Sequence, residues 1–299
     1  MKKEIVRRNF LKHVAAGTTA FAIAASGKQA LGEDTYLSPA KLGDFQLYYE
    51  IHGSGPAVVF AHGAGGTHMS WWQQVPVLSQ KYRCITIDHR TFGYSRDVPG
   101  GPGRRAFVPD LTGLLDNLGI QKAALVGQSM GGWTVLGFAS AHPDRVSALI
   151  MSDTNGGYSN PEIEELRKSL GPPPASIDRA FAPDFPKREP AKEFLYREIS
   201  ALTTAANPPA PAAQATQATQ APAPTVTDIG PVLEKKIPVL FIVGAEDQLI
   251  PPPIIEAMHR SMPGSELVKV PGAGHSVYFE KPEDYNRILM DFLQKHTSA

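Results

Sequence analysis

A serine hydroxyl is too weak an acid to attack a carbonyl unaided. It needs a base within hydrogen-bond reach, an acid to orient that base, and donors for the oxyanion that develops. One stretch of this chain could present such a serine: Gly127-Gln128-Ser129-Met130-Gly131. The apolar run at 123–126 precedes it and a helix-like stretch at 130–141 follows, so it reads as strand, tight turn and helix, the pattern of a nucleophile elbow. Strand and helix crowd together at such a turn, and glycine at 127 and 131 meets the need for small residues. The pentapeptide is weak evidence alone in a chain with 27 glycines, and context must decide.

The base and acid should lie on loops that follow strands. His275 sits in Pro271-Gly272-Ala273-Gly274-His275-Ser276, directly after a strand-like run at 266–270. His52, His142, His259 and His296 fall in turns or on helix surfaces, and His62, His68 and His89 precede the serine. Asp247 follows the apolar run ending in Val243-Gly244 and is the candidate acid; Glu246 and Asp153, which also follows a strand, are its rivals. The backbone N–H of Met130, at the start of the helix, is one oxyanion donor. The second is expected at Ala64, in the glycine-rich loop His62-Gly63-Ala64-Gly65-Gly66. Trp71, Trp72, Trp133 and Tyr158 are candidates to line an apolar substrate pocket; core packing is the competing reading, stronger for Trp72 and Trp133.

These residues require strands to carry them. Residues 41–51 read as a hairpin turning at Gly43-Asp44, and 57–61, 84–88, 123–126, 146–151, 237–243 and 266–270 read as strands. Several are continuous apolar runs, as expected of strands buried on both faces. Helices are predicted over 71–79, 107–118, 130–141, 253–262 and 282–295. Strands joined by helices predict a mostly parallel sheet. The alternation lapses over 154–235, where helical pieces at 161–170 and 191–202 surround an Ala/Pro/Gln/Thr tract at 205–226, read as a low-complexity loop. This block is expected over the carboxyl ends of the strands, where open α/β sheets hold their sites.

The chain has 299 residues, 42% of them hydrophobic, and a formal net charge of 0, which gives no hint of nucleic-acid binding. Its single cysteine, Cys84, excludes an internal disulfide and a cysteine-based zinc site. Arg7-Arg8-Asn9-Phe10-Leu11-Lys12 precedes a weakly apolar stretch too short to span a bilayer. Residues 1–30 thus resemble a twin-arginine export signal, which implies recognition by that export machinery and a periplasmic or secreted protein. Removing them takes away six basic residues and one acidic residue, leaving 23 and 28 and a charge of −5. No other segment is long and apolar enough for a membrane span.

Five motifs follow one another in a familiar order: His62-Gly63-Ala64-Gly65-Gly66, Asp88-His89-Arg90-Thr91-Phe92-Gly93-Tyr94-Ser95, Gly127 to Gly132, Gly244-Ala245-Glu246-Asp247 and Gly274-His275. Over residues 40–153 and 232–296 the chain resembles the α/β-hydrolase superfamily, in particular its fold-1 group of esterases, lactonases and serine-dependent haloperoxidase-like enzymes. Thr91 departs from the glycine usual there. The resemblance implies a mostly parallel eight-stranded sheet with helices on both faces, a core of residues 31–153 and 236–299, and a helical cap at 154–235. It implies Ser129, Asp247 and His275 as the triad, no cofactor or metal, and a small-molecule ester or lactone as substrate. Serine at 129 argues against epoxide hydrolases and haloalkane dehalogenases, whose relatives carry aspartate there. Carbon–carbon hydrolysis of ring-cleavage products remains an alternative, as does a non-catalytic protein that binds a small ligand beneath its cap.

Overall fold

The computed structural model describes residues 39–172, 177–206, 225–226 and 228–297. The expected export signal at 1–30, and all but the ends of the tract at 205–226, lie outside the described residues. The strands are β1 (Ala40–Leu42), β2 (Phe45–Leu47), β3 (Tyr49–His52), β4 (Ala57–Ala61), β5 (Arg83–Ile87), β6 (Ala123–Gln128), β7 (Val146–Ser152), β8 (Val239–Gly244) and β9 (Glu266–Val270). Among the described residues the main sheet has seven strands in the order β3-β5-β4-β6-β7-β8-β9. β3 runs antiparallel to β5 and the other neighbours are parallel. This is the α/β-hydrolase fold.

The expected eighth strand is not in this sheet: β1 and β2 pair only with each other as a separate two-stranded ribbon. The run read as one strand from Phe45 to Ile51 is divided at Tyr48, whose N–H is donated to the Ser95 hydroxyl (2.8 Å) rather than to a neighbouring strand. A second correction concerns the helix expected over 71–79. It forms instead as a 3-10 turn, His68–Trp71, and a short helix, Val75–Leu78. Pro76 lacks the N–H that a continuous helix would need at that position and is tolerated only in a first turn.

Strand side chains alternate between the sheet's faces, and the core divides accordingly. Val59, Leu125, Leu149 and Phe241 belong to one apolar cluster, which includes residues of the helices Phe107–Asn117, Gly131–Ala141 and Pro252–Arg260. Their sequence neighbours Val58, Val126, Ile150 and Leu240 belong to the opposite one, with residues of the closing helix Pro282–Thr297. Each fully buried aliphatic side chain contributes about 1.5–3 kcal/mol.

Most of the described residues between β7 and β8 are helical, but the parts pack differently. Helix Pro161–Leu170 lies against the core helix Pro252–Arg260, and its cap Asn160 donates to Ser261 Oγ (2.9 Å). Helix Gly230–Glu234 packs against Gly131–Ala141. The segment that reaches the carboxyl ends of the strands is 177–206. The loop after β5 is held by Asp88, which accepts from the His68 N–H (2.6 Å) and the Tyr94 N–H (2.8 Å). Thr91 there has φ +74°. The glycine-type backbone is thus kept despite the β-branched residue, at a strain of about 1–2 kcal/mol.

Candidate active site

β6 is buried along its whole length and ends at Gln128, and the helix Gly131–Ala141 begins three residues later. Ser129 joins them with φ +51°. Its N–H is donated to the Ser152 carbonyl (3.0 Å), and its own carbonyl accepts from Thr154 Oγ1 (2.7 Å). These bonds to the end of β7 hold the strained turn. A Cβ on Gly127 would lie 2.7 Å from the Gly131 carbonyl oxygen, and one on Gly131 would lie 2.0 Å from that of Ala61. The two flanking glycines are therefore demanded by close approach.

Ser129 Oγ lies 2.8 Å from His275 Nε2, and His275 Nδ1 lies 2.8 Å from Asp247 Oδ2. The other oxygen of Asp247 accepts from the N–H groups of Leu249 (2.8 Å) and Ile250 (3.0 Å), which fixes the carboxylate. Asp247 follows β8 and His275 follows β9, so neighbouring parallel strands deliver acid and base to one edge. A carboxylate at Nδ1 places the ring proton there and leaves Nε2 to accept the serine proton. Burial disfavours the imidazolium, but the Asp247 charge and hydrogen bond, with the Asp153 charge, outweigh it and raise the His275 pKa above its usual 6.5.

Asp153 takes no part in this line. Its Oδ1 accepts from the Gly244 N–H (3.0 Å), and its Oδ2 has no hydrogen-bond partner among the described residues. Complete burial, and then the charge of Asp247, push its carboxyl well above the usual carboxylate range. Glu246 is exposed.

The loop after β4 is rigid. His62 Nδ1 donates to the Gly63 carbonyl (2.7 Å), and Nε2 accepts from the His89 N–H (3.0 Å). Both ring nitrogens are used by a neutral imidazole, and burial lowers its pKa to about 4. Gln128 spans the site: its Nε2 donates to the His275 carbonyl (2.7 Å), and a Cβ on Gly63 would lie 2.1 Å from its Oε1.

A cavity of about 380 Å³ opens over these groups. The core contributes Ser129, His275, Gln128, Leu249 and Ala64 to it; the insertion contributes Arg179, Tyr196 and Ser200. Ser200 Oγ donates to the Gly65 carbonyl, which docks the helix Pro190–Ala206 on the loop after β4. Met130 is buried immediately behind Ser129, and its N–H belongs to the start of the helix.

None of the four aromatic candidates lines this cavity. Trp71 is fully buried between Phe60 and Tyr278, with ring centroids 5.2 and 5.0 Å away. Trp133 packs against Phe92, Phe107 and Met130, with the Arg104 guanidinium over its ring. Tyr158 packs against the core. Trp72, for which core packing was the stronger expectation, is 44% exposed. The aromatic side chain that does line the cavity is Tyr196. Gln128 fills a variable place in the elbow and so carries no signal of its own in the sequence. Arg179, Tyr196 and Ser200 lie in the segment without motifs. Glu280 carried one usable signal, an acid embedded in Val277-Tyr278-Phe279. Its carboxylate is buried and accepts from the N–H groups of Gly274 (2.8 Å) and Ala182 (2.9 Å).

A model of the alpha/beta hydrolase family matches residues 58–288. A 2-hydroxy-6-oxononadienedioate/2-hydroxy-6-oxononatrienedioate hydrolase of Dechloromonas aromatica is 28% identical over 282 residues, covering 84% of this chain and 91% of that protein. Among solved structures, a thermophilic esterase from Thermogutta terrifontis with malate bound is 30% identical, with a TM-score of 0.69 over 87% of this chain and 97% of that one. A bromoperoxidase from Bacillus anthracis is 29% identical, with a TM-score of 0.66 over 84% and 96%.

Proposed function

Because this chain belongs to the alpha/beta hydrolase family, we propose that it hydrolyses a carboxylic ester or a lactone through an acyl-enzyme. The observation that carries the reading is the continuous line from Ser129 through His275 to Asp247, open at its serine end to one cavity. Ser129 Oγ attacks the carbonyl carbon while His275 Nε2 takes its proton. Asp247 holds the ring orientation and stabilises the imidazolium. The N–H groups of Met130 and Ala64 receive the oxyanion, each donor worth about 3 kcal/mol. His275 returns the proton to the leaving alcohol, and water then repeats the sequence on the acyl-enzyme.

The test is turnover of p-nitrophenyl acetate by the wild type and by Ser129→Ala. The variant should lose at least about a thousandfold in kcat while keeping its fold. Equal rates would remove Ser129 from the mechanism. The Dechloromonas relative is named for a hydroxy-oxo-dienedioate rather than an ester, so a panel of esters, lactones and vinylogous diketones decides which electrophile the same serine prefers. We also propose that residues 1–30 direct export by the twin-arginine route and that the active protein is periplasmic or secreted.

A further inference from the structure

The charge of the cavity bears on what the substrate carries besides its scissile bond. Among the described residues lining the cavity there is no carboxylate, and Arg179 is the one permanent charge. The remaining surface is backbone, aliphatic and aromatic carbon, hydroxyl and amide, with His275 itself. Arg179 is half-buried on the 3-10 turn Ile177–Ala180. Its neighbour Ala180 also lines the cavity, and the backbone that follows is packed onto the catalytic loop: a Cβ on Gly274 would lie 2.2 Å from the Phe181 carbonyl carbon. The turn is therefore registered against His275 by main-chain contact.

The guanidinium lines the same cavity as His275, and its positive charge opposes protonation of the ring. That has a cost for the mechanism, because proton transfer from Ser129 creates an imidazolium in the same enclosed space. A bound anion beside Arg179 would cancel this repulsion and would itself be held by charge-assisted hydrogen bonds. A guanidinium has five N–H donors in a planar fork, of which a carboxylate uses two.

We infer that Arg179 is a specificity-determining residue and that the preferred substrate is a small ester bearing a carboxylate near its scissile carbonyl, bound in the cavity that Arg179 shares with Ser129. The inference rests on the hydrolase reading above. It predicts that substrate charge, more than chain length, sets kcat/KM.

The experiment compares mono-p-nitrophenyl succinate with p-nitrophenyl butyrate, an uncharged ester of similar size, on the full chain. The readout is the ratio of the two kcat/KM values. Wild type should favour the anionic ester, and this preference should erode as salt is raised. Arg179→Gln should lower the ratio about 10–100-fold, mainly through KM of the anionic ester, and Arg179→Lys should fall between. A ratio unmoved in both variants overturns the inference, and circular dichroism checks that both are folded. If Ser129→Ala leaves turnover of both esters unchanged, the hydrolase reading has failed, and succinate binding by calorimetry decides the rest. Binding lost in Arg179→Gln supports anion recognition; equal binding, or none in either protein, overturns it.

Discussion

At the scale of residues, the site separates the candidate acid Asp247 from its rival Asp153. Asp153 and Asp247 both follow strands of the sheet, β7 and β8. Asp247 is tied to His275 Nδ1 and to two backbone N–H groups, whereas Asp153 is fully buried with one oxygen unpartnered. The difference gives a prediction with two readouts. Asp247→Asn should fold and lose about 10⁴ in kcat, because the imidazole then takes the wrong tautomer. Asp247 is also what raises the His275 pKa against burial. The base must be neutral to act, so the wild-type kcat/KM should fall on the acid side with a midpoint above 6.5. In Asp247→Asn burial dominates and that limb should move to lower pH. If Asp153→Asn causes the large loss and Asp247→Asn does not, the acid is misassigned. That Ser129, Asp247 and His275 meet at one sheet edge was legible because each follows a strand-like run. The pocket aromatics were not: an isolated tryptophan carries no sign of which way its ring will turn, and the core takes Trp71 completely.

At the scale of elements, the inner parallel strands were legible because both of their faces are buried and their sequences are largely apolar. The division of the first strand was not, because it depends on one hydrogen bond from Tyr48 to a serine 47 residues away. Equally invisible was the junction at Glu280. Its carboxylate accepts from Ala182 in the insertion and from Gly274 and Ser276 on either side of His275. Burial raises its pKa to about 7, against the pull of these N–H groups and Arg188. Such a group binds its proton more tightly in the folded chain, so between its unfolded value of about 4.3 and about 7 the folded state holds the extra proton and stability declines as pH rises. Glu280→Gln should flatten that decline, read as melting temperature across pH 5–8. It also sets an NH₂ group where an acceptor is needed, at about 1–3 kcal/mol, and should lower kcat by loosening the His275 loop. A variant with the wild-type slope of melting temperature against pH would show that Glu280 is not the group responsible.

At the scale of the whole molecule, no helix among the described residues is long and apolar enough to cross a membrane. If residues 1–30 direct export, replacing Arg7 and Arg8 together by lysine should leave the precursor in the cytoplasm, seen by immunoblot of cell fractions. Export at the wild-type level would exclude the twin-arginine route. The core was legible because its chemistry is strung along local strand-and-loop motifs, while the insertion acts through docking, which sequence periodicity does not report. Arg179, Tyr196 and Ser200 gain a role only once 177–206 lies on the loops after β4 and β9. That docking bears on how such proteins diverge. Gly274 meets Phe181 and Ala182 backbone to backbone, with no room for even one methyl group between them. A segment transplanted from a relative must therefore pass position 182 with its main chain at the same height, or the histidine loop must be exchanged with it. Residues 182 and 274 thus mark a seam for recombination, within which side chains can be shuffled freely and across which only matched pieces will join.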